Sequence, residues 1–84
     1  MLQKRQELFS FINSTINDLE ANGELNWASK LRDATLISFM PGELFREIRK
    51  VLKEFQKTNL PRRVRADEKL KIALISLDEI IGDH

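Results

Sequence analysis

Residues 40–61 read MPGELFREIRKVLKEFQKTNLP, a run closed at one end by Met40-Pro41-Gly42 and at the other by Asn59-Leu60-Pro61. Between those breakers Leu44, Phe45, Ile48, Val51, Leu52 and Phe55 recur at helical spacing, which places them on one face of a 3.6-residue helix. Arg46, Arg49, Lys50, Lys53 and Lys57 fill the rest of the circumference. Proline 41 suits a first helical turn, where its missing N–H would have no partner, and Glu43 complements the positive end of the helix dipole. Pro61 biases the residue before it away from α geometry. The pattern predicts a helix over 41–59, about 25 Å long, followed by an irregular connection, Pro61-Arg62-Arg63-Val64-Arg65.

The same logic extends outward. Upstream, Leu8, Phe11, Ile12, Thr15, Ile16 and Leu19 form one stripe of a helix over 2–21, closed by Asn22-Gly23, a pair that tolerates the left-handed conformation common at helix C-termini. A shorter helix over 25–38 follows, with Asn26 as its expected N-cap and Trp27, Ala28, Leu31, Ala34 and Thr35 facing inward. Trp27 reads as a core residue rather than a binding anchor. Downstream, Asp67 and Glu68 open a helix over 66–81 whose inner face carries Leu70, Ala73, Leu74, Leu77, Ile80 and Ile81, with Gly82 closing it.

Four amphipathic helices on so short a chain can hide their apolar faces only by packing them together. With short connections favouring antiparallel neighbours, the expected fold is all-α: a compact antiparallel four-helix bundle forming a single helical domain over 1–84. A bent three-helix core with the first helix attached is the second choice. At 42% hydrophobic and 32% charged residues the composition is that of a globular protein. Without cysteine there is no disulfide frame and no thiolate zinc site, so stability has to come from packing. No apolar run is long enough for a signal-peptide core or a membrane span, and cytoplasm is the expected compartment.

The net charge of +1 conceals an uneven distribution: −2 over residues 1–43, +6 over 44–71 and −3 over 72–84. Lys57, Arg62, Arg63, Arg65, Lys69 and Lys71 cluster around the turn between the last two helices, where arginine can clamp phosphate or carboxylate groups bidentately. Those residues are the candidate site for an anionic partner. Plain solvation competes with that reading, and no interleaved aromatic offers a stacking platform for bases. The bases of the 41–59 helix also invite a helix-turn-helix reading, which the Pro-Gly opening and the regular core stripe fit poorly.

Chemistry is sparse. The single histidine, His84, is terminal and lacks an internal partner for a triad or a metal site. Asp18 with Glu20, Asp67 with Glu68 and Asp78 with Glu79 could pair as carboxylates, yet adjacent helix residues diverge by about 100°. The three glycines sit at helix ends rather than in a phosphate loop. No catalytic residue, cofactor or metal is expected, and the chain is not read as an enzyme.

An apolar surplus is the remaining clue. Phe9, Leu36, Ile37, Phe39, Met40, Ile72 and Ile75 exceed one inner stripe per helix, and a contiguous exposed patch of them would mark an interaction surface. Ile72 and Ile75 lie about 200° and 140° around the helix from Leu70, nearly opposite its core face. The candidate protein-interaction residues are Leu36, Ile37, Phe39, Met40, Ile72 and Ile75. The expected function is a small non-enzymatic protein-protein interaction module, self-associating as a C2 homodimer or binding another protein, with an inhibitor- or immunity-like accessory role among its forms. Small bacterial immunity proteins and antitoxins are helical domains of similar size, a likeness of architecture without shared residues. The alternative is a nucleic-acid-binding accessory module that uses the basic turn.

Overall fold

Every segment with a helical stripe is helical in the computed structural model, which describes residues 2–37 and 40–82, with side chains from Arg5 onward. Five helices follow in order: α1 (Leu2–Ala21), α2 (Leu25–Leu36), α3 (Pro41–Gln56), α4 (Leu60–Arg63) and α5 (Asp67–Gly82). No strand is present among the described residues. The Cα radius of gyration is 12.0 Å, against about 12 Å for a compact chain of this length.

The boundaries follow from identifiable backbone devices. After α1, Gly23 takes a φ of +78°, its N–H donates to the carbonyl of Glu20, and the Glu24 N–H donates to that of Leu19 at 2.8 Å. This paired closure is a Schellman motif, and it satisfies carbonyls that the helix end leaves open. Asn26 is not the N-cap of α2, as the sequence suggested. Glu24 occupies that position without a side-chain cap, and its carbonyl accepts from the Ala28 N–H. The Schellman closure runs straight into α2, which leaves no room for a separate cap at 26. At the other end α2 stops at Leu36. The expected helix to 38 is therefore shorter, and Ser38 and Phe39 lie outside the described residues.

Pro41 occupies the first turn of α3 as expected, with extended Met40 before it and the Leu44 N–H bonded to the Met40 carbonyl. The helix ends at Gln56, short of 59. Thr58 causes the early stop, because its hydroxyl donates to the Phe55 carbonyl at 2.7 Å and accepts from the Leu60 N–H, offering the backbone an alternative to the next turn. Pro61 then begins a structure rather than ending one. It lies in the first turn of the four-residue α4, where the same absent N–H that suits Pro41 is tolerated, so the irregular connection read from the sequence is replaced by a helical turn.

A second closure of the Schellman type follows α4. Arg65 has a φ of +55°, its N–H donates to the Arg62 carbonyl, and the Ala66 N–H donates to the Pro61 carbonyl at 2.7 Å. Ala66 precedes α5, which starts at 67 rather than 66 and carries Asp67 and Glu68 in its first turn. Gly82 is its last described residue.

The backbones of α1 and α2, α2 and α3, α3 and α5, and α5 and α1 pack as neighbours, while α4 touches α3 and α5. Arg5 shares a small hollow with Ile80 and Ile81, and Phe11 shares a groove with Lys69 and Ala73, so α1 and α5 run in opposite directions. Inside lie Leu8, Ile12, Ile16 and Leu19 of α1, Leu31 of α2, Phe45, Ile48, Leu52 and Phe55 of α3, and Leu70 and Leu77 of α5. Leu74 of α5, Leu60 and Val64 at α4, and Ala28, Ala34, Ala66 and Ala73 complete the core, the alanines letting the backbones approach closely. Thr15 is the single buried polar residue among those described, and its hydroxyl donates to the Phe11 carbonyl at 2.8 Å. A chain this size has a net stability of about 4 to 13 kcal/mol.

Candidate interaction surfaces

The outer face of α5 follows from a register that its own core demands. Once Leu70, Ala73, Leu74 and Leu77 face inward, Ile72 and Ile75 have to face away, and they are 63% and 59% exposed. Leu36, Ile37 and Met40 are comparably exposed around the α2–α3 connection, while Phe39 lies outside the described residues. These exposures follow the orientations read from helical spacing. The surplus is not contiguous, however. The α2 and α5 backbones do not meet, so the apolar residues form two patches separated by the intervening helices, rather than the single patch the sequence invited.

Phe9 leaves the surplus altogether. It is partly buried against the core, and its ring lies 6.2 Å from that of Phe45 at 50°. A long aromatic side chain reaches across the diagonal between α1 and α3, whose backbones stay apart. Arg5 covers the other side of Phe45 at 5.3 Å from the ring centroid, a cation–π contact that closes this end of the core. Trp27 is likewise partly buried, with its ring 5.5 Å from that of Phe55 and the Lys30 ammonium 4.6 Å above it.

Two features were not read from the sequence. Leu25, the first residue of α2, is 63% exposed; it follows the Schellman turn directly, one position outside the inner face. A groove of about 220 Å³ also opens between α1 and α5, lined by Glu7, Leu8, Phe11, Lys69, Ile72, Ala73 and Ser76. Phe11 offers a signal for it, since it sits at the edge of the α1 stripe, about 60° from Leu8, where a neighbouring helix covers it only in part.

The basic residues are exposed, though they do not act as one cluster. Arg62, Arg63 and Arg65 lie on and just after α4, close behind Lys57. Arg63 is engaged within the chain, its guanidinium donating to Glu24 at 3.2 Å and tying α4 to the α1–α2 turn. Lys69 borders the α1–α5 groove, and Lys71 lies about 160° away from it around α5. The carboxylates are similarly committed to structure: Glu20 accepts from Arg32 at 3.1 Å and Asp78 from Arg49 at 2.6 Å. Among the described residues no group of three or more His, Cys, Asp or Glu side chains is arranged to hold a metal, and no helix is long and apolar enough to cross a membrane.

The sequence matches no protein-family model, and comparison with curated proteins and with solved structures finds no match.

Proposed function

We propose that this chain is a small non-enzymatic helical interaction module that associates with itself as a homodimer, working in the cytoplasm as a single domain. The cyclic order of neighbours α1, α2, α3 and α5 supports reading those helices as an antiparallel four-helix bundle, with α4 capping one end. The observation that carries the functional reading is the pair Ile72 and Ile75, exposed on a helix whose opposite face already supplies a complete core stripe. Apolar side chains fixed outward in this way favour a partner surface.

The magnitudes bound the affinity. Full burial of an isoleucine from full exposure is worth about 1.5 to 3 kcal/mol, and Ile72 and Ile75 are 63% and 59% exposed, so two from each protomer supply about 4 to 7 kcal/mol. Association costs about 4 kcal/mol at the least. The isoleucines alone therefore support only a weak dimer. Leu36 and Ile37, exposed at the end of α2, face another protein in this reading, which keeps an inhibitor- or immunity-like role within the same proposal. Sedimentation of the purified chain at several concentrations tests the reading, and a strict monomer at high micromolar concentration would count heavily against it.

The rival reading is a nucleic-acid-binding accessory module. What favours it is the exposure of Lys57, Arg62, Arg65 and Lys69 near one end of the molecule. Its signature is affinity that falls steeply with salt. Absence of retention by a mixed DNA and RNA pool at about 50 mM salt would sink it.

A further inference from the structure

We propose that the dimer forms through α5 paired antiparallel with α5 of a second copy, with Ile72 facing Ile75 of that copy and Lys71 beside its Asp78. This deepens the self-association reading above and rests on it. Glu68, Ile72, Ile75 and Glu79 fall at about 160°, 200°, 140° and 180° from Leu70, a narrow stripe with the alternating four-three spacing of a coiled-coil seam. All four are exposed. The stripe carries two apolar positions flanked by one acid at each end, so a partner helix has to centre on the isoleucines.

Charge then sets the direction. Before the isoleucines the exposed α5 surface is balanced, with Asp67 and Glu68 against Lys69 and Lys71, and after them it is acidic, at Asp78 and Glu79. Lys71 makes no ion pair among the described residues, whereas Asp78 is held on the same flank of the stripe by Arg49 at 2.6 Å. A parallel twofold pairing would carry the two Lys71 to opposite flanks of the seam, each beside Lys69 of the second copy, and would leave Asp78 without a basic neighbour there. Antiparallel pairing about a twofold axis brings each Lys71 within about two residues, or about 3 Å along the axis, of Asp78 of the second copy. Glu68 then opposes Glu79 of the second copy at either end. Parallel pairing opposes seam acids as well, Glu68 with Glu68 and Glu79 with Glu79, so the flanks decide: the pair Lys71 with Asp78 favours the antiparallel orientation, and Lys71 beside Lys69 disfavours the other.

The experiment is a complementation by mixing, with the intact chain and its variants followed by sedimentation equilibrium at low salt up to about 1 mM, where even a dimer of Kd near 100 μM is mostly formed. Lys71→Glu and Asp78→Lys each weaken the dimer by about tenfold, because each places like charges together twice. An equimolar mixture of the two variants restores association to within about threefold of the natural chain, since one contact is then the natural Lys71–Asp78 pair and the other is the same pair with its signs exchanged. The rescue also controls for folding, as an unfolded Asp78→Lys chain could not restore its partner. If the natural chain dimerises while the variants are unaffected, or their mixture is no tighter than either alone, the α5 contact is overturned and self-association stands. A natural chain that stays monomeric at about 1 mM overturns both.

Discussion

The indole of Trp27 on α2 lies 5.5 Å from the ring of Phe55 on α3, tilted at 50°, and joins two helices consecutive in the chain. Phe55 is fully buried, and Trp27 covers it from the side while its own outer face is roofed by Lys30. Tilted aromatic pairs of this kind add about 0.5 to 1.5 kcal/mol beyond area burial. Phe55→Ala is expected to cost about 3 to 5 kcal/mol, a large share of a chain this size, and to shift Trp27 emission to the red in buffer. Urea titration followed by that emission checks both, and a midpoint shift of under about 1 kcal/mol would mean the pair is peripheral.

The two Schellman closures give opposite expectations at the residue with positive φ. Gly23 stands at φ +78° with nothing within 4 Å of where a Cβ would be placed, so Gly23→Ala meets no clash and costs about 1 kcal/mol through backbone strain alone. Arg65 already bears that strain at φ +55°. Arg65→Gly is therefore expected to stabilise by about 0.5 to 1 kcal/mol, while Arg65→Val destabilises by more than 1 kcal/mol, roughly, because a branched Cβ fits the left-handed region worst. Thermal and urea midpoints of the three variants decide it. Equal stability of the Gly and Val variants at 65 would contradict the closure.

Thr15 tests how a buried hydroxyl is satisfied. It bonds back to the Phe11 carbonyl, an acceptor the helix ladder already uses, so the hydroxyl adds little. Thr15→Val keeps the shape and removes the donor together with its need. The expected change lies within about 1 kcal/mol in either direction, read from denaturant unfolding. A loss above 2 kcal/mol, roughly, would show the hydroxyl to be structurally required.

The Arg63–Glu24 pair spans helices distant in sequence, yet its side chains are 59% and 30% exposed. Removing it with Glu24→Gln is expected to change stability by under about 1 kcal/mol, with the effect shrinking further as salt rises. Unfolding at low and high ionic strength measures it. A larger, salt-insensitive loss would contradict a surface pair.

The sequence carried the core and the outward-facing isoleucines because both follow from helical periodicity, which needs only residue identity and an angle of about 100° per residue. Leu8, Ile12, Leu52 and Leu77 could be placed for that reason. Helix ends were harder, since they depend on hydrogen bonds that the residue order only permits. Thr58 shortens α3 by turning its hydroxyl back on the Phe55 carbonyl, and Pro61 opens α4 by the same missing N–H that suits Pro41 to a first turn. Arg65 in a left-handed conformation had no sequence signal, because glycine or asparagine usually holds such a position. The division of the apolar surplus was hidden for a different reason. Whether Leu36 and Ile72 share a surface depends on which helices are neighbours, and periodicity within each helix is silent on that.

In the proposed dimer Ile72 and Ile75 hold the two chains together. Because both are exposed, Ile72→Ser with Ile75→Ser is expected to leave the fold of the single chain nearly unchanged, by about 0.5 kcal/mol or less per site. Sedimentation velocity across a concentration series of the natural chain and the double variant is the direct measurement. The expected result is a concentration-dependent shift from monomer to dimer in the natural chain, and a helical monomer throughout for the variant. A natural chain that sediments as a monomer at every concentration, or a double variant that dimerises equally well, would contradict it.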